Sequence, residues 1–265
     1  METIDANFTE QKKHNVGSFL RDIKLASLEC GARVDTWAEI EGYPLYCIRI
    51  RGEGEIRKKI MLTADFHAGT EAAGQMAILE FLKENPLSYL KGVELTILPL
   101  VNPTGFELGT RENNLGEEVN RGYGVGENQN PLSREGIILK SHQKEIFESA
   151  RDGELSLHGD ENTSKGGFVY CHKNAEELSL KLLKILSTRF GVVDSEFLIE
   201  NQKVEDPNNI IAQGLVVGED DGDFGDWLHQ LGIPIVIVTE TPDKDRSLDE
   251  RIAANLDIIR EFCRY

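Results

Sequence analysis

An α/β fold, a sheet with helices on its faces, is what this sequence predicts, and three observations predict it. Short apolar runs suited to buried strands recur along the chain, and amphipathic stretches at helical spacing alternate with them. Neither a linker nor an internal repeat divides the one set from the other, so a single domain over residues 1–265 is expected. A chain of 265 residues is long enough to bury a sizeable core.

Residues 16–30 carry Phe19, Ile23, Leu25 and Leu28 at helical spacing and predict an amphipathic helix. Two strands follow at 32–40 and 44–50, joined by a turn at Glu41 and Gly42. Residues 59–64 form an apolar run of the buried-strand kind, and 71–82 a helix with Thr70 available as its N-cap. A strand at 93–100 is closed by Asn102-Pro103. The stretch 104–130 has little periodicity and much Gly, Asn and Glu, which reads as a long ordered loop, and such loops are usually functional. Beyond it come a helix at 134–150, strands at 155–158 and 167–171, a helix at 175–189 and a strand at 210–217. A short helix at 225–231, a fully buried strand at 233–238 and a helix at 248–262 close the chain.

Composition narrows the function. Forty-six acidic against 29 basic residues give a formal net charge of −17, which repels phosphate backbones and anionic membrane surfaces, so neither nucleic acid nor membrane is an expected partner. Solubility is the plain reading of the acidity, and attraction of a cationic substrate the sharper one. Cys30, Cys47, Cys171 and Cys263 are scattered, without a C-x-x-C pair, and indicate neither a zinc knuckle nor a disulfide scaffold. The polar amino terminus lacks the apolar segment of a signal peptide, and no apolar run is long enough to span a bilayer. A cytoplasmic location is the expectation, with oligomeric state left open.

Chemistry-bearing residues gather where strands end. His67 follows the run 59–64, His158 the run 155–157 and Glu240 the run 233–238. In open α/β sheets the carboxyl ends of strands are where ligands bind, so residues far apart in sequence converge there. Two imidazoles with carboxylates suit zinc, which keeps one coordination position for water in catalytic sites. Each residue taken singly would as readily be a hydrogen-bonded structural group.

Their order and surroundings go further. The chain carries E-I-E-G-Y-P-L-Y-C-I-R-I at 39–50, H-A-G-T-E-A-A-G at 67–74, V-N-P-T-G-F at 101–106, T-R-E-N at 110–113 and V-N-R at 119–121. L-S-L-H-G-D-E follows at 155–161, and G-D-W-L-H-Q-L-G-I-P-I-V-I-V-T-E-T-P at 225–242. From about residue 37 onward this series resembles the zinc metallocarboxypeptidases and their compact relatives, the amidases and the desuccinylase- and aspartoacylase-type deacylases. The resemblance implies a three-layer α/β/α domain with a mixed, mostly parallel sheet. It implies one zinc ion held by His67, Glu71 and His158, with Glu240 as general base. Arg111 would stabilise the oxyanion, and Asn120 and Arg121 would grip a substrate carboxylate. The glutamates around Arg111 and Arg121 leave surface ion pairs as the plainer reading of both.

The chain departs from the family in two places. The first ligand pair is spaced H-x-x-x-E instead of H-x-x-E, and Gly69 offers a backbone able to absorb the extra residue as a bulge. Asp65, two residues before His67, and Asp160 and Glu161, just after His158, leave room for a second metal; Asp65 otherwise serves to orient an imidazole. The acidic stretch 218–224 lacks the tyrosine that digestive-type enzymes place before the tryptophan segment, and it either meets a substrate amine or is a solvated turn. Asp226, just before Trp227, reads as a helix-capping residue or as a support behind the site, and not as a catalytic one. Hydrolysis of an amide bond in a small peptide is the leading expectation. An N-acyl amino acid deacylase is the alternative, and a binding protein that kept the fold but lost the chemistry is the alternative of another class.

Overall fold

The Asn15 side chain accepts from the Ser18 N–H and so starts α1 (Val16–Glu29), which buries Val16, Phe19, Leu20 and Ile23 along one stripe. The computed structural model describes residues 15–64, 66–67, 71–124, 132–163, 165–204, 206–218 and 221–265. A hairpin of β1 (Arg33–Ile40) and β2 (Tyr43–Arg51) follows, turned at Glu41 and Gly42, both with positive φ. Then come β3 (Lys58–Ala64), α2 (Ala72–Lys83), β4 (Val93–Leu98) and α3 (Pro103–Leu108). The middle of the chain supplies α4 (Arg134–Ser141), α5 (Gln143–Ser149), β5 (Gly153–Asp160), β6 (Phe168–Cys171) and α6 (Glu176–Phe190). The remainder is α7 (Ser195–Glu200), β7 (Ile210–Ala212), β8 (Leu215–Val217), α8 (Phe224–Gln230), β9 (Val236–Pro242) and α9 (Leu248–Arg264).

The strands form one mixed sheet of nine in the order β1-β2-β4-β3-β5-β9-β6-β8-β7. Pairing is parallel through β4, β3, β5 and β9, and antiparallel toward both edges except between β6 and β8. Helices α1, α2, α6 and α9 cover one face over Leu62, Leu95, Ile97, Leu155 and Ile237. On the other face α4, α5 and α8 pack over Cys47, Met61 and Val236. The three-layer arrangement is therefore the one expected. Alternation along β5 sends Leu155 and Leu157 into the first core and Glu154, Ser156 and His158 to the opposite face. All four cysteines are buried and free. No helix among the described residues is long and apolar enough to cross a membrane.

Several elements differ from the sequence expectation, each for a local reason. The loop expected over 104–130 opens instead with α3: Asn102 caps it through the Gly105 N–H, and Pro103 sits at its first turn, where a missing N–H costs nothing. The single helix expected over 134–150 is two, broken at His142, whose ring stacks on Trp37 with centroids 4.3 Å apart. The strand expected over 210–217 is the hairpin β7–β8, turned at Gly214 with φ +73°. Helix α7, capped by Asp194, was not expected. The last strand begins three residues later than expected and runs on to Pro242, because its partner β5 supplies a register from Glu154 opposite Val236 to Asp160 opposite Pro242. His158 and Glu240 thus stand inside strands, side by side, where the sequence put His158 at the very end of a strand and Glu240 just beyond one.

Candidate metal and catalytic site

Three side chains converge where β3 and β5 meet the start of α2. His67 lies just past β3, Glu71 occupies the N-cap position of α2, and His158 projects from β5. The Nδ1 of His67 is 2.8 Å from Glu71 Oε1, and the Nδ1 of His158 is 3.0 Å from the same oxygen. The other carboxylate oxygen of Glu71 accepts from the His67 backbone N–H at 3.2 Å. One ligand atom from each residue lies within 4.8 Å of the other two, and all three residues are buried. A glutamate at a helix N-cap commonly spends its carboxylate on the helix N–H groups, but Glu71 makes no such bond and turns to the imidazoles instead. The stretched H-x-x-x-E spacing therefore still delivers the glutamate. Gly69 and Thr70, proposed as bulge and cap, lie outside the described residues, as does Asp65.

The electrostatics fit a cation. Burial alone would raise the Glu71 carboxyl, but the imidazoles of His158 and His67 hold it well below the ordinary carboxylate range. Burial likewise opposes the charged form of His67, and Glu71 and Glu118 beside it raise its pKa nonetheless. An anionic carboxylate with two imidazole nitrogens aimed at one of its oxygens is a nitrogen-and-oxygen donor set of the kind zinc takes.

Behind the first histidine is a residue the sequence reading passed over. Glu118 Oε1 lies 3.0 Å from His67 Nε2, and its Oε2 is 2.5 Å from Arg111 Nε. His67 and Arg111 hold the Glu118 carboxyl at about 2 despite burial. Glu118 had been grouped with the surface glutamates; the available signal was its place two residues before Asn120-Arg121. Asn102 is the second such residue. Fully buried, it donates to the Phe66 and Arg111 carbonyls and so ties the backbone beside His67 to the loop that carries Arg111. Gly105 makes room for it: a Cβ there would come within 2.4 Å of the Asn102 amide.

Glu240 stands opposite His158 on the neighbouring strand, and the Thr241 hydroxyl donates to the His158 carbonyl at 3.1 Å, which locks the two strand ends together. Burial pushes the Glu240 carboxyl up to about 8, with Glu71 and Asp160 adding to the rise and His158 and Lys203 opposing it.

The rim is made of charges already paired. Arg121 donates to the Asn120 carbonyl at 2.8 Å and reaches Asp221 Oδ2 at 2.7 Å. Asn120 is buried, and its side-chain oxygen accepts from the Phe224 N–H at 3.1 Å, so it fixes the start of α8. Asp223 caps α8 in a reciprocal box with Asp226, the capping role foreseen for the latter, and Asp226 also pairs with His172 at 3.0 Å. Burial and the neighbouring Asp226 and Asp221 raise Asp223 to about 6.

His67, Glu71, His158, Glu240, Arg111, Asn120 and Arg121 all line one pocket of about 350 Å³, together with Asp221, Asp223, Asp226 and Lys203. All seven residues expected at the site thus line this one pocket. Asp160 and Glu161 line the pocket too, but Asp160 pairs with Lys203 at 3.1 Å and is not part of the His–Glu–His group. Tyr170, on β6, also reaches the pocket, with its hydroxyl donating to the Lys203 carbonyl at 2.6 Å.

No protein-family model and no curated protein sequence matches this chain. Solved structures do. A candidate metallopeptidase of Shewanella amazonensis SB2B is 29% identical, with 94% of this chain and 92% of that one covered at a TM-score of 0.81. Another, of Shewanella denitrificans OS217, is 25% identical over 94% and 89% of the two chains, at a TM-score of 0.80. A metallo-carboxypeptidase of Pseudomonas aeruginosa, solved with (2-guanidinoethylmercapto)succinic acid, is 17% identical over 95% and 68% of the two chains at a TM-score of 0.66, which shows the fold alone. The chain therefore has the zinc-carboxypeptidase fold, and its likeness to the two Shewanella structures supports a metallopeptidase-type hydrolase.

Proposed function

We propose that this chain is a zinc-dependent hydrolase that cleaves an amide bond of a small peptide next to a free carboxylate. The observation that carries the reading is the convergence of His67, Glu71 and His158 in the pocket that Glu240 and two arginines also line. His67, Glu71 and His158 would hold the ion. When bound, zinc supplies Lewis acidity and brings the pKa of water toward neutrality.

The chain's own residues supply the rest. Glu240 takes a proton from water and returns it to the leaving nitrogen, and its pKa of about 8 places the exchange near neutral pH. Arg111, oriented by Glu118, faces charge that develops on the scissile carbonyl oxygen. Arg121 exchanges Asp221 for the substrate carboxylate, a planar fork meeting a planar acceptor. Asn120 serves this grip by fixing α8 against the arginine loop.

Metal content and turnover test the reading together. The parent is expected to hold about one zinc per chain and to hydrolyse members of a panel of free-carboxylate di- and tripeptides. Glu240→Gln is expected to keep its zinc while turnover falls by about 10²- to 10⁴-fold. Hydrolysis of N-acylated aspartate or glutamate in place of the peptides would move the substrate to the deacylase class. No zinc after add-back, or zinc without turnover of any compound, would overturn the proposal.

A further inference from the structure

The second histidine ligand is backed by an arrangement that the proposed chemistry does not use. His158 Nε2 lies 3.0 Å from Ser156 Oγ, Ser156 Oγ lies 2.9 Å from Thr63 Oγ1, and Thr63 Oγ1 lies 2.8 Å from Glu154 Oε1. Glu154 and Thr63 are fully buried and Ser156 is 3% exposed, so bulk solvent is kept from this line. Thr63 and Ser156 are register partners on the parallel strands β3 and β5, which is why their hydroxyls meet. Period-two alternation puts Glu154, Ser156 and His158 on one face of β5.

Counting protons gives this line a direction. A hydroxyl has one hydrogen to donate, and a neutral imidazole that offers Nδ1 to a metal carries its one hydrogen on Nε2. Nε2 then donates to Ser156 Oγ, Ser156 to Thr63, and Thr63 to Glu154 Oε1, which accepts whether or not the other carboxyl oxygen is protonated. With its proton on Nε2, the neutral imidazole presents the lone pair of Nδ1 to the point it shares with His67 and Glu71.

The geometry points to Thr63, Ser156 and Glu154 as a positioning relay that holds His158 in the tautomer a metal ligand needs. None of the three touches substrate. Two hydroxyls and a buried carboxyl do for His158 what Glu118 does for His67 by direct contact. The inference rests on the zinc reading of the site and adds to it the reason a carboxylic side chain is kept inside the sheet. Outer partners of this kind alter metal affinity by about 10- to 100-fold.

Zinc affinity measured by competition with a chelator, on the parent, Ser156→Ala, Thr63→Val and Thr63→Ser, tests it. The first two variants cut the relay at different points, and Thr63→Val keeps the volume of the side chain. Both are expected to weaken zinc binding by about tenfold or more. Thr63→Ser restores the hydroxyl and is expected to bind within about twofold of the parent, with the melting temperature of each variant recorded alongside. Affinities within twofold of the parent in both relay-breaking variants would make the hydroxyls mere core filling and overturn the relay. A parent that binds no zinc would defeat the zinc reading, and the relay that rests on it as well.

Discussion

On the sheet side of the pocket the His158 and Glu71 side chains are each 2% exposed, whereas on the rim Arg111 is 45% and Asp221 40% exposed. The two sides also use carboxylates differently. Glu71 holds two imidazoles at a single oxygen and no solvent competes for it. Glu118 and Asp221 hold their arginines where water and salt reach them. Breaking a buried pair costs about 3–5 kcal/mol, while an exposed one is worth about 1 kcal/mol or less. The His–Glu–His side is therefore built to stay as it is, and on the proposed function the rim is built to exchange one partner for another.

The largest effect is expected from Glu71→Ala, which takes the shared anion from between two buried imidazoles. Zinc content should fall from about one per chain toward zero by elemental analysis, with hydrolysis lost in parallel. Zinc kept at parental affinity would mean that a rim or neighbouring carboxylate such as Asp160 can take the place of Glu71, and the division between fixed wall and exchangeable rim would fail.

A smaller effect, and of another kind, is expected at the rim. Arg121→Lys replaces a two-pronged donor by a point charge, and KM for free-carboxylate peptides should rise about tenfold with kcat and melting temperature little changed. Asp221→Asn should act in the opposite direction, lowering KM severalfold, because the guanidinium no longer has to leave an internal anion. Both effects should shrink as salt rises. If Arg121→Lys instead unfolds the chain or empties the zinc site, Arg121 belongs to the fixed wall.

The same division explains what could be read in the sequence. His67, His158 and Glu240 were legible as candidates because apolar runs announce strands, though not where these end, and because short motifs kept their order. Glu71 was legible despite its shifted spacing, since the helix start that follows it is intact. Glu118 was not, because its place two residues before Asn120-Arg121 was the one signal, and in a glutamate-rich stretch that does not tell a histidine's partner from a solvated charge. Asn102 looked like a strand terminator for the same reason: its two carbonyl acceptors, on Phe66 and Arg111, are remote in sequence. Ser156 and Glu154 passed as strand residues, their meaning fixed only by Thr63 on the strand alongside. Element boundaries failed where pairing set them, as at Val236–Pro242, whose extent belongs as much to β5 as to its own residues.

The smallest effect expected concerns Glu154, the one carboxyl of the fixed wall that has no cation beside it in the contacts described above. Burial raises its pKa to about 8, against 4.5 for an ordinary glutamate. Between those values the folded chain keeps the proton and the unfolded chain does not, so stability falls as pH rises from about 4.5 to about 8. Below that window the group contributes no slope, and above it the full penalty of a buried anion applies. Glu154→Gln keeps an oxygen for the Thr63 hydroxyl but cannot ionise. Its melting temperature should match the parent's near pH 5 and exceed it by a few degrees at pH 8.5, an advantage on the order of 1–3 kcal/mol. Zinc affinity should stay close to the parent's, because the accepting end of the hydroxyl line survives. A constant offset between the two melting curves from pH 5 to 8.5 would show that Glu154 is charged in both states, and the sheet side would then hold an anion as comfortably as the rim does.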